Sequence, residues 1–165
     1  LTLTPDDPCD TTITAGDGRV LYVVRSKDRT DGTQTEVFNA EKAVIASLQR
    51  SDTRSHAWNV TYCHQTVEPL HKWMRNSINP ISRSRWFKDE VGRQYKWKGQ
   101  PAGSTREVRQ YDGYKQPIAT FHRSRSDRGS KRSKAVPAQL CLSYRAEQIR
   151  DLVVCSFLFL EQEKR

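Results

Sequence analysis

The chain has 165 residues, 35% of them hydrophobic, and carries 28 Lys and Arg against 19 Asp and Glu, a formal net charge of +9. That length suits one domain, residues 1–165, with one core. The basic balance favours anionic partners over acidic ones: lipid headgroups, nucleic acid, or sulfated and phosphorylated molecules.

Residues 1–10 are a short apolar stretch and a Pro5-Asp-Asp-Pro8 turn. Residues 11–14 read as a strand ended by Gly16-Asp17-Gly18, and residues 19–25 as a Val-rich strand. Residues 26–32 are polar and read as a turn. Strands follow at 34–39 and 43–49, then a loop at 51–55. In 56–63 the alternation places Trp58, Val60 and Tyr62 on one face. The period changes at 68–75, where Leu70, Trp73 and Met74 share a helical face and Pro69 fits the first turn. Strands at 86–88 and 94–98 flank an Asp89-Glu-Val-Gly92 turn, and strands at 106–111 and 117–123 meet at Asp112-Gly113. Residues 124–134 contain no apolar side chain and read as a mobile basic loop. The last strand lies at 139–142.

The one sustained apolar run closes the sequence. From Leu152 to Leu160 every residue is apolar except Ser156. Its flanks hold good helix formers and neither Gly nor Pro, so residues 144–163 read as one helix with Ser143 as N-cap. A buried central strand is the alternative, since Val153, Val154, Phe157 and Phe159 suit strands. The run is far shorter than the ~20 residues that cross a bilayer, so no transmembrane segment is expected. A helix without a polar side must be enclosed on all sides. Roughly ten short strands then leave one packing: a barrel, or a nearly closed sheet, threaded by the helix. Val23, Trp58, Val60, Trp97, Phe121 and Leu140 are expected around it.

The stretch from Arg145 through Asp151-Leu-Val-Val-Cys-Ser-Phe-Leu-Phe-Leu-Glu161 resembles the ending of a mushroom (basidiomycete) domain family of unknown function. The opening Leu1-Thr-Leu-Thr-Pro-Asp-Asp-Pro8, Gly18-Arg-Val-Leu-Tyr-Val-Val24, Val44-Ile-Ala-Ser-Leu48, Tyr95-Lys-Trp-Lys-Gly99 and Pro117-Ile-Ala-Thr-Phe-His122 also look like it, in order along the chain. Tyr144 departs from it, standing where that family is expected to have Pro. The family is similar to the tubby C-terminal and LURP-one-related group. The resemblance implies a mainly β fold, a barrel of about twelve strands enclosing a hydrophobic C-terminal helix. It carries over no catalytic residue.

Catalytic signals are absent from the sequence. His56, His64, His71 and His122 are scattered without zinc spacing, and no phosphate-binding loop, nucleophile elbow or dinucleotide fingerprint occurs. Cys63 and His64 are adjacent and would point to opposite faces of a strand. No metal or other cofactor is expected. Four dispersed cysteines, Cys9, Cys63, Cys141 and Cys155, form no disulfide framework. That fits a reduced, cytoplasmic setting.

Binding signals are stronger. One basic cluster comprises Arg83, Arg85, Lys88, Arg93, Lys96 and Lys98. Alternation turns Tyr95 and Trp97 to one side of their strand, into the core, and Lys96 and Lys98 to the other. The rigid anion site is therefore expected at Lys96 and Lys98 with Arg85 or Arg93. A second cluster, Arg123, Arg125, Arg128, Lys131, Arg132 and Lys134, lies in the serine-rich loop, where it would steer acidic partners at long range. The plainer reading of both is a solvated surface. The expected function is a non-enzymatic binding domain for anionic ligands, foremost phosphoinositides or other acidic lipids at a membrane surface. The alternatives are an interaction or immune-active protein that binds a glycan or protein receptor, and a small enzyme with an interior pocket. Nucleic acid ranks lower, because the aromatics beside the lysines are expected inside.

Overall fold

The apolar run is helical, and the chain is arranged around it. The computed structural model describes residues 1–52, 57–63, 65–77, 84–99, 105–112, 116–126 and 135–164. Residues 152–160 of helix α3 (Arg150–Gln162) are buried without exception. Enclosing its seven large apolar side chains contributes on the order of 10–20 kcal/mol before chain entropy is counted. Ser156, the one polar residue in the run, accepts a 2.9 Å hydrogen bond from the Trp97 indole N–H and donates to the Val153 carbonyl.

A single antiparallel sheet surrounds this helix. Its first half comprises β1 (Thr2–Thr4), β2 (Thr11–Thr14), β3 (Val20–Arg29), β4 (Gly32–Asn39), β5 (Val44–Ser51), β6 (Trp58–Tyr62) and β7 (Glu68–Pro69). After the one-turn helix α1 (Leu70–Trp73) come β8 (Arg75–Asn76), β9 (Arg85–Lys88), β10 (Gln94–Gly99), β11 (Thr105–Gln110) and β12 (Ala119–His122). Two further short strands, β13 (Arg125–Ser126) and β14 (Ala135–Val136), pair only with each other. Strand β15 (Ala138–Leu142) rejoins the main sheet, and α2 (Tyr144–Glu147) leads into α3. The order across the 13-stranded sheet is β7-β6-β5-β4-β3-β2-β1-β15-β12-β11-β10-β9-β8. Each half thus runs outward from the β1–β15 pairing, where Thr2 meets Gln139.

The sheet is mainly β as expected, but it is not closed into a barrel. Strands β7 and β8 are its two edges, linked by α1 rather than by a ladder. Each is two residues long, and Pro69 has no backbone N–H to offer a neighbour. Both halves still reach the helix: Trp73 packs on Phe159, and Trp97 and Phe121 pack on Phe157.

Other differences have local causes. The expected single helix over 144–163 is two helices, because Ile149 leaves helical geometry at φ −125° and ψ 33°. The break lets Tyr144 stay exposed and Arg145 meet Asp112 at 2.9 Å while α3 is buried from Leu152 onward. Ser143 caps α2 as expected, accepting from the Ala146 N–H. Residues 26–29, read as turn from their polarity, extend β3; both faces of the strand are largely solvated there, so no apolar alternation marks it. The real turn is short because Gly32 takes φ +141°, where a Cβ would stand 1.8 Å from the Arg50 carbonyl oxygen. Val60, Trp97, Phe121 and Leu140 are core residues as expected, and Trp58 packs against them. Val23 is not: Tyr22 and Val24 face inward and Val23 is only half-buried. Of the basic loop at 124–134, residues 127–134 lie outside the described residues.

Candidate functional site

The two ends of α3 have opposite characters. At its C-terminal end the strands bring cations to a helix that has none in its own last turn. Glu161 accepts Arg106 at 2.7 Å and Arg123 at 2.9 Å, and also pairs with Lys164. Glu163 accepts Arg85 at 2.5 Å. These cations also offset the negative end of the helix dipole. Burial works against the Glu161 charge, but Lys164, Arg106 and Arg123 outweigh it and hold the carboxyl below its ordinary value. A small cavity of about 260 Å³ borders this cluster.

At the N-terminal end a cleft of about 1220 Å³ opens between the two edges of the sheet. Its aromatic lining includes Tyr62, Trp73, Trp86 and Tyr111, and its charges are mixed in sign. Deep in this end Tyr22 donates to Asp151, while Arg150 reaches the Tyr22 oxygen at 3.1 Å and Glu147 at 3.2 Å. Burial first, then Asp151, holds the Tyr22 phenol well above its ordinary value, so it remains a donor. Burial likewise raises the Tyr62 phenol. The Cys63 residue is exposed, and partial desolvation of its thiol still raises it, an effect the Tyr62 hydrogen bond only partly offsets. A thiol held protonated is a poor nucleophile. Among the described residues no group of three His, Cys, Asp or Glu is placed to hold a metal ion. His56 and His64 lie outside the described residues.

The expected anion-binding residues separate into paired and unpaired sets. Arg85 stands opposite Trp97 in the ladder, so it turns inward to Glu163. Arg93 is held by Asp89 at 2.5 Å, and Arg123 by Glu161. Arg125 is exposed on β13. Arg83, Arg128, Lys131, Arg132 and Lys134 lie outside the described residues. Lys96 and Lys98 do face outward, opposite to the buried Tyr95 and Trp97. Lys96 sits 4.8 Å above the Trp86 ring, a cation–π contact, and Tyr111 meets that ring edge-on.

The ladder adds residues that sequence reasoning missed. Arg75 of β8 is opposite Trp86, which is opposite Lys96, so the three form one row on the outer face. Lys72 and Arg75 were visible only as polar positions of the helix expected at 68–75; the helix is in fact Leu70–Trp73, and the two-residue strand that takes up Arg75 leaves no period to link it to β9. Among the described residues none of Lys72, Arg75, Lys88, Lys96 and Lys98 has a carboxylate partner.

A family model described as a family of unknown function, DUF6593, matches residues 6–165. The chain belongs to this family. No curated protein and no solved structure matches the chain. Membership in DUF6593 therefore assigns the fold's relatives without assigning an activity, and the surface has to be read on its own chemistry. No described helix is long and apolar enough to cross a membrane.

Proposed function

We propose that this chain is a non-enzymatic binding domain for anionic ligands, and that its ligand class is acidic lipid headgroups, phosphoinositides among them, at a membrane surface. The observation that carries the reading is the outer strip of β8, β9 and β10, where Arg75 and Lys96 flank Trp86 and Lys88 and Lys98 continue the same outer face, none with a carboxylate partner among the described residues. Strands fix the spacing of these cations, so little order is lost when a ligand meets them. Trp and Tyr beside Lys and Arg are the side chains that suit a lipid–water interface. In this reading Arg123, Arg125, Arg128, Lys131, Arg132 and Lys134 steer the protein toward acidic surfaces at long range. A fungal source and kinship with the tubby-like group belong to the same proposal. The residue resemblance supports both, and an antiparallel sheet around an apolar C-terminal helix supports the second.

The test is co-sedimentation with phosphatidylcholine vesicles, with and without anionic lipid, at low and high salt. A cation near an anionic surface is worth about 1 kcal/mol. Changing Arg75, Lys88, Lys96 and Lys98 together to Ala is therefore expected to lower partitioning roughly 1000-fold at low salt. Equal affinity for neutral vesicles, or no binding, removes the reading. The cleft favours a second one, a glycan ligand stacked on its aromatic side chains, for which a glycan array is the direct observation.

A further inference from the structure

Seven large apolar side chains are exposed among the described residues, and six of them stand at one end of the sheet: Val20, Val44, Val67, Val91, Tyr111 and Tyr144. Strand direction shows this. Tyr22, near the start of β3, bonds Asp151 at the α3 N-terminus, and Arg85, at the start of β9, bonds Glu163 at the other end. The starts of β3 and β5 and the ends of β9 and β11 therefore lie at the same end of the sheet, the end at which the cleft opens, with Val91 and Tyr111 among the cleft's own lining. Single exposed apolar residues are ordinary; their concentration on one rim is not explained by the core.

Val91 is the most informative of them. It is 75% exposed at the tip of the β9–β10 turn. That turn is held rigidly: Asp89 accepts from the Val91 N–H, the Arg93 N–H, the Arg93 guanidinium and the Tyr95 hydroxyl. A fixed turn that keeps an apolar side chain in water has lost little freedom that docking would still cost. Lys72, Arg75 and Lys88, without a carboxylate partner among the described residues, line the same mouth. Five carboxylates line it as well: Asp89 is held by Arg93, Glu147 by Arg150 and Asp151 by the Tyr22 hydroxyl, while Glu68 and Glu90 face the mouth beside the three cations.

We infer that this protein docks end-on, with the mouth at the α3 N-terminus facing an anionic lipid surface, Val91 and Tyr111 seated below the headgroups, and Lys72, Arg75 and Lys88 meeting headgroup phosphates. The inference rests on the anionic-surface reading and narrows it: of the outer strip, Arg75 and Lys88 at the mouth meet the headgroups, and Lys98 at the far end of the strip acts only at low salt, where screening is weak. The competing pose lays the outer wall of β9 and β10 flat on the surface. Strand geometry separates the two. Lys88 is opposite Gln94 at the mouth, and Lys98 is four residues further along β10, about 13 Å away. That exceeds the Debye length of about 8 Å at physiological salt. End-on docking leaves Lys98 screened from the surface, whereas flat docking uses both lysines alike.

The experiment compares wild type, Val91→Asp, Lys88→Ala and Lys98→Ala by co-sedimentation with phosphatidylserine-containing vesicles at physiological salt, with thermal unfolding to confirm equal folding. Val91→Asp is expected to weaken binding about tenfold, and Lys88→Ala several-fold more than Lys98→Ala. Glu90→Gln is expected to strengthen it. If wild type binds but Val91→Asp binds equally well, or Lys98→Ala matches Lys88→Ala, the orientation is overturned and the anionic-surface reading stands. If wild type shows no preference for the anionic vesicles, both fall.

Discussion

Glu161 is a buried carboxylate that three cations need. Its side chain is 8% exposed, and Arg106 beside it is 18% exposed. Glu161→Gln would leave these cations partly buried without their counter-charge, a loss of about 3 kcal/mol, read as a lower urea midpoint. The pH dependence has a definite sign. The folded carboxyl titrates below its ordinary value because Lys164, Arg106 and Arg123 outweigh burial. Its stabilisation is therefore complete above the unfolded value, near pH 4.3, and is lost as pH falls through the lower folded value. Urea midpoints measured from pH 7 to pH 2 are expected to fall in the acid range for wild type and to fall less steeply for Glu161→Gln. Ser156 poses a smaller case. Ser156→Ala strands the Trp97 indole N–H in the core, at about 1–3 kcal/mol. The sequence marks Ser156 as the odd residue of the run, yet its partner lies 59 positions away and leaves no local trace.

The β9–β10 hairpin shows what an element reveals in advance. Alternation alone separates Tyr95 and Trp97, both buried, from Lys96 and Lys98, and the turn residues mark the bend within a residue or two. The role of Asp89 was less legible, because four donors converge on it only once the turn has formed. Asp89→Ala is expected to loosen the turn and cost about 2 kcal/mol. It also removes a charge from Tyr95, whose phenol is pushed up to about 12 by burial and then by Asp89. Ultraviolet titration of the variant should show one tyrosine moving part-way back toward its ordinary value of about 10. An unchanged titration would mean that burial alone sets it. Edges β7 and β8 were not legible at all, since a strand of two residues carries no alternation.

For the molecule as a whole, enclosure of the last helix could be read from one fact, that the run has no polar side. Closure of the sheet could not be read, because it depends on whether β7 and β8 are long enough to pair. The pairing of Arg85 was equally hidden: its inward direction follows from standing opposite Trp97, and its partner Glu163 is 78 positions away. Arg75 joined the outer strip through a ladder rather than through any motif. The helix remains the point on which the fold depends. Phe157 lies 4.2 Å from Phe121 and 5.9 Å from Trp97, ring centre to ring centre. Phe157→Asp would bury an unpaired charge among them and should yield no cooperatively folding protein by calorimetry.

The position of α3 in the chain has a consequence for synthesis. A nascent chain emerges N-terminus first, and domains commonly begin to fold in that order. Here the strands appear first, each with an apolar inner face, while the segment that covers all of those faces is residues 150–162. Strand β1 meets its neighbour β15 only after more than a hundred intervening residues have been made. The ribosome therefore exposes a sheet without a centre until residues 150–162 have followed it. A message cut short anywhere before residue 150 should give a sticky fragment bound for chaperones or proteases, never a smaller working protein.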